Sequence, residues 1–158
     1  MSRVPNFFII GAPKCGTTSL VRWLDEHPNV YISPIKEPRY FDRDLGTRFR
    51  MDEKAYRALF KGAQNHHYAV GEATVWYLYS RDAVPLIEKE IGPVKYIVLV
   101  RNPVEMAYSL HEQLLINQTE HIADFRIAMA KSIERRKGRG ARWWIREPRL
   151  LDYQSVCS

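Results

Sequence analysis

The chain has 158 residues, 46% apolar and 27% charged, a composition that excludes a disordered tail, a collagen and a disulfide scaffold and fits one soluble globular domain. Lysine and arginine number 24 against 18 aspartates and glutamates, a formal surplus of +6. That surplus favours an anionic partner but does not choose among nucleic acid, nucleotide, acidic glycan and membrane surface.

Asn6 to Gly11 is a short apolar run stopped by glycine, as expected of a central parallel strand. A small-residue loop follows, Gly11-Ala-Pro-Lys-Cys-Gly16, and then Thr17 to Glu26 carries apolar residues at helical spacing and ends before Pro28. Val30 to Ile32 reads as a second short strand, Glu53 to Phe60 as a helix and Tyr68 to Glu72 as a strand. Asp82 to Ile91 is predicted helical with Pro85 in its first turn. Lys95 to Val100 is the clearest strand, and both it and the 7–10 run read as buried. Pro103 then opens a helix at its favoured first-turn position, with Met106, Leu110 and Leu114 every four residues. Alternating strands and helices predict an α/β fold, a P-loop-like parallel sheet flanked by helices, in a single domain over 1–158.

The tail is different in kind. Residues 131–149 are rich in lysine and arginine, and Gly138 and Gly140 interrupt any helix, so the segment is expected to be an exposed basic loop or mobile segment. Trp143 and Trp144 lie within it and could anchor it on the core or serve a substrate loop. No recognisable nucleic-acid motif accompanies the charge, and no nucleic-acid partner is expected. Nothing approaches the roughly 20 apolar residues of a membrane span, and no apolar signal region is seen. Cys15 and Cys157 make no disulfide framework. A cytoplasmic location follows as the expectation; the oligomeric state is not legible.

A strand, a glycine-bearing loop and a helix N-terminus make an anion site, because free backbone N–H groups and the positive end of the helix point at one spot. The loop Gly11 to Thr18 has glycines spaced as in the nucleotide triphosphatase motif, and Thr18 falls where its Ser/Thr should be. The lysine is displaced: position 17 is threonine and Lys14 sits inside the loop. The 96–100 strand ends in Arg101 rather than a magnesium-holding aspartate. A site for a phosphate-like anion without a metal fits better than a P-loop nucleotide kinase, the alternative enzyme reading. A non-catalytic nucleotide or polyanion-binding module is the other alternative.

Two segments resemble the sulfotransferases that use 3′-phosphoadenosine 5′-phosphosulfate (PAPS), in their heparan-sulfate and bacterial branch. Pro13-Lys-Cys-Gly-Thr-Thr-Ser-Leu20 resembles the loop that binds the 5′-phosphosulfate. Tyr96 to Ser109, an apolar strand, Arg101-Asn-Pro and a serine eight residues after the arginine, resembles the segment that binds the 3′-phosphate. His27-Pro28, Ser33 to Phe41 and Gly71 to Tyr79 are similar to further segments of that branch, although Ala73 stands where a lysine is frequent. The resemblance spans roughly residues 5–117 in order and implies the N-terminal portion of a longer fold.

It implies an enzyme that transfers a sulfuryl group from PAPS to a hydroxyl or amine acceptor, with carbohydrate a possible acceptor class and no metal. Lys14 would stabilise the charge building on the leaving phosphate. Cys15, Gly16, Thr17, Thr18 and Ser19 would line the 5′-phosphosulfate, with helix capping as the structural alternative for the threonines. Arg101 and Ser109 would hold the 3′-phosphate, unless Arg101 simply pairs with an acid. Glu37 is the expected general base, flanked by Lys36 and Arg39, whose charges would favour its ionised form. The five histidines are rivals for that role.

Overall fold

Phe7–Gly11 forms the first strand, β1, with all five residues buried. The structure, a computed structural model, describes residues 3–46, 50–139 and 147–158. Helix α1 is Thr17–Asp25, β2 is Val30–Ile32, α2 is Glu53–Ala58 and β3 is Ala69–Ala73. A 3₁₀ turn at Val75–Tyr77 leads to α3, Ala83–Glu90, and to β4, Lys95–Val98. All strand pairs are parallel, in the order β2-β3-β1-β4. The expected α/β parallel sheet is therefore present, and the chain leaves β1 toward one side of it and later returns to the other. The loop after β1 lies, like every loop that follows a parallel strand, at the carboxyl end of the sheet, and the reversal makes it the switch point where open α/β sheets bind ligands.

The pleat sends alternate side chains of β1 to opposite faces. Phe8 and Ile10 join Tyr40, Phe41, Tyr56, Phe60, Val70, Tyr77 and Ile87 on one side. Phe7 and Ile9 meet Ile32, Ala73 and the Leu20, Val21 and Leu24 face of α1 on the other. Phe7 lies so close to β3 that a Cβ on Gly71 would come within 2.4 Å of its ring. Glycine is what lets these two strands pack there.

One strand differs from its sequence expectation. β4 is an edge strand, with Val98 43% exposed, and Val100 beyond it is 78% exposed. An apolar run carries no mark of whether a second neighbour will cover it, which is why it reads as buried.

The chain forms two compact units, one reaching Val100 and one comprising Arg101–Ser158 with Gly46. The second unit contains α4, Pro103–Ile116, capped by Asn102, whose side chain accepts from the Val104 N–H at 2.9 Å. Then follow α5, Phe125–Ala130, α6, Ser132–Arg136, a 3₁₀ turn at Pro148–Leu151 and α7, Tyr153–Val156. The segment expected to be a basic loop over 131–149 is thus helical at 132–136, and ordered turns follow Glu147. Its Arg135 is fully buried and paired with Glu120, so this residue is a core cation and not a solvated one. Trp143 and Trp144, with Gly140, Arg142 and Arg146, lie outside the described residues. Among the described residues no helix is long and apolar enough to cross a membrane.

Candidate active site

The loop after β1 is held by its neighbours on the sheet. Ala12 N–H donates to the Leu99 carbonyl at 2.8 Å, and Leu99 N–H to the Gly11 carbonyl at 2.9 Å. Lys14 and Gly16 then turn through the left-handed region, at φ 62° and 84°. Gly16 is the N-cap of α1, no side chain caps the helix, and a Cβ at Gly16 would meet nothing within 4 Å. The first turn of this nine-residue helix thus has no capping side chain for its N–H groups. This suits an anion that brings its own acceptor oxygens. Thr17 is buried, Gly16, Thr18 and Ser19 are exposed, and Lys14 and Cys15 are half-buried. Cys15 Sγ donates to the Pro13 carbonyl at 3.4 Å. The five expected loop residues and Lys14 therefore share one short strand–loop–helix junction.

Glu37 is fastened to the sheet beside that junction's strand. Its N–H donates to the Ala73 carbonyl at 2.9 Å, at the end of β3. Its Oε1 accepts from Lys36 Nζ at 2.9 Å and, at 3.4 Å, from the Val75 N–H. Glu37 and Arg39 both have positive φ, 62° and 54°, in a segment without glycine; such strain persists where surrounding bonds over-determine it. The carboxylate is about a quarter exposed, while its Oε2 is buried with no hydrogen-bond partner. Of the two flanking cations only Lys36 pairs with it. Arg39 turns instead to Asp42, at 2.6 Å. Burial pushes the Asp42 carboxyl up despite Arg39.

Glu72, on β3, is a buried carboxyl that sequence reasoning passed over. It pairs with Phe8 in the strand register and so shares the face of Val70, among the aromatic rings. It is fully buried, and neither carboxyl oxygen has a hydrogen-bond partner. Burial pushes its carboxyl up to about 8; the Tyr77 hydroxyl, outside hydrogen-bonding geometry, tempers the rise, and the charges of Glu37 and Asp42 add to it. A glutamate in the middle of an apolar strand is the signal that could have found it.

Three of the five histidines are engaged in hydrogen bonds elsewhere. His27 Nδ1 accepts the Asn29 N–H at 3.2 Å, and His67 Nδ1 the Gln64 N–H at 2.7 Å. Buried His111 bonds the Ile122 carbonyl through Nε2 at 2.8 Å. In the second unit Arg101 pairs with Glu105 at 2.7 Å, the structural alternative for it, and Ser109 lies half-buried on α4.

A parallel α/β sheet whose first strand runs through a glycine-bearing loop into a helix N-terminus defines a P-loop-like class. Within that class, the family model described as "Sulfotransferase domain" matches residues 4–146, and the chain belongs to the sulfotransferase family. The crystal structure of a sulfotransferase from Alicyclobacillus acidocaldarius superposes with a TM-score of 0.83 at 35% identity, covering 98% of this chain and 64% of that one. The mouse carbohydrate sulfotransferase 15 is 32% identical over 67% of this chain and 26% of its own length. The human heparan sulfate glucosamine 3-O-sulfotransferase 6 is 33% identical over 78% of this chain and 34% of its own. A membrane-associated sulfotransferase, kil1, of Dictyostelium discoideum is 31% identical over 67% of this chain and 22% of its own length. The chain thus spans between a fifth and about a third of these curated relatives.

Proposed function

We propose that the chain transfers a sulfuryl group from PAPS to a hydroxyl or amine of an acceptor, carbohydrate in class. The observation that carries this reading is the uncapped junction of β1 and α1 with Lys14 inside its loop, in a chain of the sulfotransferase family. The carbohydrate class is supported by the names of two relatives, carbohydrate sulfotransferase 15 and heparan sulfate glucosamine 3-O-sulfotransferase 6.

In this reading the backbone of Cys15 to Ser19 and the hydroxyls of Thr17, Thr18 and Ser19 bind the 5′-phosphosulfate. Lys14 meets the negative charge that grows on the leaving phosphate as its bond to sulfur breaks. Glu37 accepts the proton of the acceptor hydroxyl while its oxygen bonds to sulfur. Lys36, on Oε1, holds that carboxylate in its orientation. Arg101 and Ser109 retain the role their motif assigns, recognition of the 3′-phosphate; the motif and the capped start of α4 support it.

Release of 3′-phosphoadenosine 5′-phosphate from PAPS in the presence of a carbohydrate acceptor tests the reading. Lys14→Ala should lower turnover by roughly 10²–10³-fold, the loss expected when one donor to a developing oxyanion is removed, with circular dichroism unchanged. Retained turnover would rule Lys14 out of that role.

A further inference from the structure

The polar atoms left without hydrogen bonds are not scattered through the first unit. Several belong to one neighbourhood, where Glu37 is bonded to Ala73 and Val75 at the end of β3 and where Glu72 feels the charges of Glu37 and Asp42 and acts on Tyr56: Glu37 Oε2, both oxygens of Glu72, Thr74 Oγ1, Asp42 Oδ1 and Tyr56 Oη. Buried oxygens without partners are costly and ordinarily bond one another or an ordered water. Glu37 reaches this place because its N–H is held by the Ala73 carbonyl, one residue beyond Glu72, and its Oε1 by Val75 N–H. Lys36 occupies Oε1 from the other side, so Oε2 is the oxygen left to face inward.

Two carboxylates that feel each other's charge in such a place do not both ionise. We propose that Glu72 is a positioning residue for Glu37: it keeps its proton and offers it as a hydrogen bond toward Glu37 Oε2, so that the pair carries one proton and one negative charge. This rests on the reading of Glu37 as the base. Glu37 is then the member that takes the acceptor's proton as the new oxygen–sulfur bond forms and the sulfur–phosphate oxygen bond breaks. Glu72 gives up nothing in the step. It fixes the rotamer of Glu37 and prevents Oε2 from seeking another donor.

The assignment of the proton to Glu72 follows from surroundings. Glu37 is partly exposed and paired with Lys36. Glu72 is enclosed by the β1 and β3 backbones and the aromatic face, and its facing groups are Glu37 and Asp42 from the 33–42 segment, Tyr77 from the 3₁₀ turn and Tyr56 from α2. No cation is among these groups, since Lys36 and Arg39 are spent on Glu37 and Asp42.

Carbon-13 NMR titration of glutamate-labelled full chain tests the pair without needing activity. Glu72 should titrate near 8, and Glu37→Gln should lower that midpoint by about one pH unit, the coupling expected of an interacting pair. Glu72→Met should lower kcat by about 10–100-fold, the loss of one hydrogen bond to a charged group, with KM for PAPS nearly unchanged. Wild type should lose rate above about pH 8 as Glu72 gives up its proton, and Glu72→Gln, which still donates, should restore much of what Glu72→Met loses and lack that fall. A Glu72 midpoint in the ordinary carboxylate range, or one unmoved by Glu37→Gln, would overturn the proposal, even if Glu72→Met failed to fold. If the titration behaves as expected but Glu37→Gln turns over normally, the pair exists and the base assignment is what fails.

Discussion

Each of the two units holds a deeply buried glutamate, Glu72 in the first and Glu120 in the second, and the two are treated in opposite ways. Glu120 is 3% exposed and its carboxylate is fully served. Oε1 accepts from the N–H groups of His121 and Ile122 at 2.8 and 3.0 Å and from Arg135 at 3.0 Å. Oε2 accepts from the Tyr153 hydroxyl at 2.9 Å and meets Arg135 at 2.7 Å. Burial alone would raise this carboxyl, but the backbone amides, Arg135 and Tyr153 outweigh it and hold the pKa low. Glu72 is as deeply buried, has no such donors and is pushed up to about 8. Burial raises both carboxyls, and the donors around Glu120 are what outweigh it there. The supplied carboxylate ties α6 and α7 together through Arg135 and Tyr153, whereas the unsupplied one feels the charge of the proposed base.

The opposite shifts give opposite pH dependences of stability. Glu120, with a lowered pKa, contributes stability that is present above the ordinary carboxylate value and lost as pH falls through its folded value. Glu72, with a raised pKa, contributes stability that is present below about 4.5 and lost as pH rises toward 8.

The comparison breaks most sharply at Arg135. Arg135→Met leaves a buried carboxylate without its cation and should cost about 3–5 kcal/mol at neutral pH. The deficit measured by urea unfolding should shrink in acid, where Glu120 is protonated. Next in size is Glu72→Gln, which keeps the shape and removes the penalty of ionising. It should raise stability at pH 7 by about 3 kcal/mol, because each tenfold change in proton affinity is worth roughly 1.4 kcal/mol, and by almost nothing near pH 4.5. A variant equally stabilised at both pH values would show that Glu72 is not held protonated. The smallest effect is expected from Tyr153→Phe, which removes one of several donors to Glu120 and should cost about 1–2 kcal/mol by thermal unfolding.

The parts of the site written in contiguous sequence were legible there. Phe7 to Ile10 stops at Gly11, Gly16 lies where α1 begins, and Lys14 falls between them; each is a local signal with a local cause. Lys36 beside Glu37 was legible for the same reason. The partners set by the fold were not. Arg39 reads as a second cation for Glu37 until the left-handed turn at 39 sends it to Asp42. Arg135 reads as one of a solvated basic run because Glu120, which buries it, lies 15 residues earlier. β4 reads as a buried strand because the sequence of an edge strand can be just as apolar. Glu72 gives a legible anomaly, a charge in an apolar strand, but its lack of donors exists only once Tyr77, Glu37 and Asp42 close around it.

Glu37 stands between the two extremes, with one oxygen served by Lys36 and one left inward, and the proposed chemistry depends on it. The most direct test is therefore turnover and nucleotide affinity measured side by side for Glu37→Gln, with PAPS as donor. The substitution keeps the shape and hydrogen bonding but removes the proton acceptor, so turnover should fall by roughly 10²–10⁴-fold while affinity for 3′-phosphoadenosine 5′-phosphate hardly changes. Near-normal turnover, or a loss that comes chiefly from weakened nucleotide binding, would contradict the account.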